Sequence, residues 1–251
     1  MTAVSDPNSP SWHPLYWIAG VAGLLFVLFG VAALMLYVMN PPPISGSEET
    51  LRFIAEHKAS YIAQQILWLV PSLFGLVVFV ALFVALFITS PSLSVLGFTV
   101  GAASWTALLA VPVTSEGTLS LVFLSDQFVK ASAGEQPAFI AAAETLVAEN
   151  NTPTIAGILT PLGVLLISLP MSSGVLPHWV GWLGTVTGTL GLVSEALRFA
   201  VPTLYAVYGP LLWAWFAIVG ISLLRLPGRS GEPPHSLASK AAPNATQRSA
   251  A

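Results

Sequence analysis

Few residues in this chain carry reactive chemistry, and their spacing decides what they could do. Glu195 and Arg198 stand three apart in Ser-Glu-Ala-Leu-Arg-Phe, the spacing that lets an acid and a base pair on one helix face. A proton or ion relay would want such a pair near the middle of a bilayer, whereas this one closes an apolar run, so it reads as a polar interfacial pair. Gln64 and Gln65 open another apolar run and read as equally shallow. Glu48, Glu49 and Arg52, followed by Phe53 and His57, hold the residue types of a glutamate–histidine site that activates water. They share one short polar segment, however, and no second histidine follows where a base would be required: His178 starts a helix and His235 lies in the C-terminal tail. Glu116 and Asp126 fall in a long polar loop, where an enzyme acting on lipid would place its acid and base. With no cysteine, there is no thiolate nucleophile or metal ligand. The His-Glu-x-x-His, Gly-x-Ser-x-Gly and phosphate-loop patterns are also missing. No catalytic residue, metal ligand, cofactor-binding residue or cofactor is assigned.

What would position these residues is a set of apolar runs. The residues are 55% hydrophobic and only 8% charged, against roughly 25% charged in ordinary soluble domains. Residues 15–39 contain no charge at all, and about 20 apolar residues suffice to cross the hydrocarbon core as a helix. Further runs occupy residues 61–88, 93–113, 155–171, 179–197 and 204–224. The first run is too long for a signal-peptide core and has neither a basic residue before it nor a cleavage pattern after it. The fold class expected is all-α: a polytopic transmembrane bundle of six helices over residues 15–226. Tails at 1–14 and 227–251 are too polar and too rich in Pro, Ser and Ala to order themselves. The partner implied is the lipid bilayer. A net charge of −3 is too small to imply nucleic acid, and nothing here fixes an oligomeric state.

The connections are unequal. Residues 89–92 and 172–178 form tight turns, whereas 40–60 and 114–154 are long. Within the second long loop, Leu121, Leu124 and Phe128, and then Phe139, Ile140, Ala143, Leu146 and Val147, recur at helical spacing. Two short amphipathic helices are predicted there, capping the bundle or lying on the outer membrane surface. Arg225 and Arg229 sit at the last membrane exit, and the positive-inside bias then puts both termini in the cytoplasm. Trp12, Tyr16, Trp17, Trp179 and Trp182 gather near the same ends, as an interfacial aromatic belt would.

Lipid is as apolar as leucine, so helices associate through close backbone approach and hydrogen bonds. Gly181, Gly184, Gly188 and Gly191 repeat along one face of the fifth run, with Thr185, Thr187 and Thr189 among them. Gly97 and Gly101 make a small-xxx-small pair in the third, extended by Ser104. These stripes predict tight internal seams. Pro71, Pro161 and Pro210 each remove a backbone donor and can kink their helices.

The stretch GVLPHWVGWLGTVTGTLGLVSEALRF, followed by LYAVYGPLLWAWFAIVGISLLRL, resembles a family of uncharacterised six-helix bacterial integral membrane proteins known only as a domain of unknown function. The likeness extends more loosely over residues 15–225. It implies a bacterial plasma-membrane location and brings no activity or catalytic residues. The Glu48–His57 segment does not match the intramembrane CAAX-type proteases, which space the arginine differently and carry the histidine on a separate helix. The expected function is that of a non-enzymatic multi-pass protein, a carrier or an envelope-associated factor. The alternative is a membrane enzyme acting on lipid at the outer interface.

Overall fold

A computed structural model describes residues 9–43, 46–110, 113–114, 117–150, 152 and 154–229. In chain order the helices are α1 (His13–Met39), α2 (Glu48–Glu56), α3 (Lys58–Leu69), α4 (Pro71–Leu86), α5 (Pro91–Ala110), α6 (Ser120–Lys130), α7 (Gln136–Asn150), α8 (Ile155–Ser168), α9 (His178–Ala196) and α10 (Leu204–Arg229). A 3₁₀ turn over Pro10–Trp12 leads into α1, and another over Leu169–Ser173 follows α8. Two short strands, β1 (Val113–Thr114) and β2 (Gly117–Thr118), pair antiparallel, Val113 opposite Thr118.

Prolines punctuate this order. Pro41, Pro42 and Pro43 follow the end of α1, where the lost donors and fixed φ stop a helix. Pro71 divides one long apolar stretch into α3 and α4. Around that break Leu73 N–H bonds Val70 O at 3.0 Å, three residues back instead of four. Pro161 and Pro210 lie inside α8 and α10, which continue past them. The first helix begins at His13, ahead of the run starting at residue 15, and the last runs on through Pro227 to Arg229.

Helix neighbours close into a ring: α1 packs on α4, α4 on α5, α5 on α8, α8 on α9, α9 on α10, and α10 back on α1. Every neighbour pair whose register the glycines reveal is antiparallel. Gly97 meets Ile167 while Gly101 meets Gly163; Gly181 meets Ser172 while Gly191 meets Pro161. Gly20 lies against Gly220 and Leu224, and Gly30 against Trp213, so α1 and α10 run antiparallel too. The ring's interior is apolar and aromatic. Phe26 stacks on Phe216 at 3.8 Å between centroids and meets Trp105 edge-on at 5.4 Å, with Phe79 and Trp215 buried beside them. The outside is equally apolar: Leu28, Met35, Val38 and Trp182 are all more than half exposed. A shell of this kind suits a lipid solvent.

Among the described residues, five stretches are long and apolar enough to cross a membrane: Pro10–Met39, Lys58–Leu86, Pro91–Ala110, Gln136–Ser173 and Leu204–Pro227. The expected count was six. The helix that does not qualify is α9, and its packing residues are the reason. Four glycines, three threonines and Glu195 within Trp179–Ala196 dilute its leucines and valines.

At one end of the ring α2, α6 and α7 form a smaller cap around Leu51, Ile54, Tyr61, Leu121, Phe128 and Ala143. Ser125 Oγ donates to Leu51 O at 2.7 Å, tying α6 to α2. Gly46, at φ +72°, brings the chain into α2 past the backbone of Glu144. A side chain there would meet both a disfavoured φ and Glu144 Cα at 2.6 Å.

Candidate functional site

The end of α9 meets the starts of α8 and α10 beneath this cap. Thr154 has extended backbone geometry and caps α8, its Oγ1 accepting from Gly157 N–H at 2.9 Å. Its own N–H donates to Glu195 Oε1 at 2.9 Å. Glu195 is only 2% exposed, and its carboxylate lies against Gly157, in the first turn of α8. The positive end of the helix dipole favours a carboxylate there. Arg198 Nη1 donates to both Glu195 oxygens, at 3.3 and 3.4 Å, and Nη2 donates to Asn150 O at 3.2 Å. Its guanidinium sits 5.1 Å from the centre of the Tyr205 ring. The pair thus joins α7, α8, α9 and α10 at one point, and Glu195 has protein on all sides.

Next to this clasp a cavity of about 280 Å³ enters the ring. Asn150, Arg198 and Thr154 supply polar lining, and Phe26, at the midpoint of α1, lines it as well. Trp68, Trp105, Leu108, Leu212 and Trp213 supply apolar wall. Ser104 and Thr160, which join α5 to α8 with hydroxyls 2.5 Å apart, border it as both reach Ala156 O. The α3–α4 break matters here, because Trp68, Leu69, Pro71 and Ser72 all line the cavity. Four lining residues, Trp68 (Nε1), Trp105 (Nε1), Asn150 (Nδ2) and Tyr208 (OH), each hold a polar atom that is shielded from the cavity's space and finds no hydrogen-bond partner among the described residues.

The other sequence candidates lie apart from this cavity. Glu48 pairs with Arg52 at 2.7 Å within α2, and Phe53 stacks on His57, which caps that helix. Asp126 is held by Lys58 at 2.6 Å, across from α3, and Glu116 lies outside the described residues. Gln64 and Gln65 are buried within the protein. Among the described residues no three His, Asp or Glu side chains gather as metal ligands would.

The glycine stripes face neighbouring helices at close range, some against backbone and some against side chains. A Cβ on Gly97 would lie 2.7 Å from Ile167 N, one on Gly181 2.8 Å from Ser172 N, and one on Gly188 2.6 Å from Leu165 N. Gly101 faces the Phe79 ring, Gly184 faces Ser168 and Trp215, and Gly191 faces Pro161 and Tyr208. Thr185 bonds back to Gly181 O at 2.9 Å, whereas the buried Thr187 hydroxyl finds no partner among the described residues. The α1–α10 seam of Gly20, Gly23 and Gly220 and the cavity itself are additions to what the sequence offered. Trp68, Trp105 and Trp213, deep in apolar runs and far from any belt position, were the available signal.

Ring, apolar exterior and internal cavity define an all-α protein with several helices fit to cross a membrane. The family model for a domain of unknown function (DUF4386) matches residues 21–224, and the chain belongs to that family. No curated protein and no solved structure matches it.

Proposed function

We propose that this is a multi-pass membrane protein in which all six ring members, α9 included, cross the plasma membrane, and that it binds a small apolar molecule within the bilayer as a carrier or receptor. The cavity carries this reading. It reaches the aromatic core from the cap end and is walled mainly by apolar side chains, with a few polar groups among them, the usual composition of a ligand site. The crossing of α9 is supported by its outer face, where Trp179, Trp182, Val186 and Val193 are exposed in a helical stripe while the glycines face inward. An even number of crossings puts both chain ends on one side, and Arg225 and Arg229 favour the cytoplasm for it. The short amphipathic helices between the third and fourth crossings, α6 and α7, then lie outside.

No observation favours the lipid enzyme. Asp126 is occupied by Lys58, and the buried carboxylate of Glu195 is engaged by Arg198 and Thr154. Native mass spectrometry of the full chain in maltoside micelles, mixed with a panel of hydrophobic compounds, tests the reading. One-to-one adducts are expected for some of them, and Ala156→Phe, which projects a ring into the cavity wall, should abolish them without loss of fold. No adduct with any compound, or undiminished adducts with Ala156→Phe, would count against a cavity ligand.

A further inference from the structure

A second pocket, of about 290 Å³, opens at the end of the ring away from the cap, between the start of α9 and the last turns of α10. Pro177, Trp179, Ile218, Ile221, Ser222 and Arg225 line it. Trp179 and Ile221 are exposed, so its wall is open on the outer side of the ring. From Trp179 an exposed apolar stripe continues along α9 through Trp182 to Val186. The Ser222 hydroxyl is spent, donating to Ile218 O at 2.7 Å. Arg225 is exposed and makes no ion pair or hydrogen bond among the described residues. Acids lie elsewhere: every described Asp and Glu belongs to α2, to the α6–α7 segment or to the end of α9, at the opposite end of the ring. The pocket thus joins apolar walls to one cation whose charge nothing described at that end balances.

We propose that this pocket holds an anionic phospholipid of the cytoplasmic leaflet, with its phosphodiester on Arg225 and an acyl chain along the outer face of α9. The guanidinium fork matches phosphate oxygens and is weakly hydrated, and its long stem lets the charge reach head-group level from an apolar wall. Trp179 supplies the amphipathic ring expected at that depth. Basic pockets between crossing helices on the cytoplasmic side hold lipid head groups in this way. A head group that carries an ammonium gains nothing further, since no described carboxylate lies at this end to receive it. Phosphatidylglycerol, whose glycerol is uncharged, leaves its negative charge wholly to Arg225. The inference rests on the crossing of α9 and α10 proposed above and is independent of the cavity's ligand.

The experiment reads lipid adducts of the full-length protein by native mass spectrometry from maltoside micelles, with dioleoyl phosphatidylglycerol and dioleoyl phosphatidylethanolamine competing in equal amounts. Phosphatidylglycerol should be retained about fivefold over phosphatidylethanolamine, the preference one basic residue near the head groups gives. Arg225→Gln should remove that preference while the lipid-free protein melts at the same temperature. Arg225→Lys, which keeps the charge, should keep part of it, and Lys130→Gln, which removes an exposed cation of the cap, should leave it intact. Equal retention of the two lipids would overturn the proposal, and so would a preference that survives Arg225→Gln. Equal losses from Arg225→Gln and Lys130→Gln would show attraction by net charge instead of a site. Displacement of phosphatidylglycerol by millimolar inorganic phosphate would make this a site for a free anion. Resistance of the membrane-bound protein to alkaline carbonate washing, measured alongside, reports on the crossings alone. Absent lipid selectivity in a resistant protein therefore refutes the site and leaves the crossings standing.

Discussion

Replacing Gly188 by leucine should cost more stability than any single truncation on the same helix. A Cβ at Gly188 would stand 2.6 Å from Leu165 N, 2.7 Å from Leu165 Cβ and 2.7 Å from Pro161 O. Two of those atoms are backbone of α8 and cannot rotate aside. Close packing leaves no slack for even one methyl, so the helices must part by roughly 0.8 Å to restore ordinary contact, and leucine adds three more carbons. Overpacking usually costs about 1–3 kcal/mol. Rigid neighbours and the adjoining Gly184 and Gly191 contacts, which would open too, place this variant near 3 kcal/mol. The assay is reversible unfolding in mixed maltoside and dodecyl sulfate micelles, followed by far-ultraviolet circular dichroism, with monodisperse yield measured alongside. Leu190→Ala, off the Gly184–Gly188 line, should cost about 1 kcal/mol. Gly209→Ala should be neutral or stabilising by up to about 1 kcal/mol, since a Cβ there meets nothing within 4 Å. A Gly188→Leu variant as stable as Leu190→Ala would refute the reasoning. So would one that stays folded but passes from dimer to monomer, because the stripe would then join two chains.

Removing Arg198 should be worse than removing its partner's charge. Arg198→Ala leaves the Glu195 carboxylate buried with the Thr154 N–H as its remaining donor, a loss of about 3 kcal/mol, whereas Glu195→Gln should cost less, a difference read from the same unfolding curves. Asp126→Asn should shift stability by under about 1 kcal/mol, since its pair with Lys58 lies at the surface, open to solvent on one side. Reporter fusions inserted after Gly134 and after Gly231 should fall outside and inside the cell, respectively. The same side for both would overturn the even number of crossings.

The stretches long and apolar enough to cross a membrane were legible because apolarity is a bulk property that survives any detail of packing. Helix α9 shows the limit of that signal: Gly181, Gly184, Gly188 and Gly191 are there to let α8 and α10 approach, and they lower the very hydropathy by which a span is recognised. The glycine spacing revealed a seam face but not its partner. Gly20, Gly23 and Gly220 form a comparable seam whose members stand on helices at opposite ends of the chain. Glu195 and Arg198 were found as a pair from their spacing, yet nothing local told of Thr154 and Asn150, which arrive from the preceding helices and enclose the carboxylate. The cavity was the least legible feature. In a membrane bundle the inward and outward faces are both apolar, so periodicity does not separate a wall residue such as Phe26 from a lipid-facing one such as Leu28. Its lining is assembled from many elements, and only the tryptophans within apolar runs and the Pro71 break marked it.

The central claim is that the ring of helices encloses a site for an apolar ligand. A crystal structure of the full chain grown with a bromine-tagged methyl ester tests it most directly. The account predicts one anomalous peak inside the ring, beside Phe26 and Trp213. Peaks confined to the outer face, along Leu28 and Met35, would contradict it.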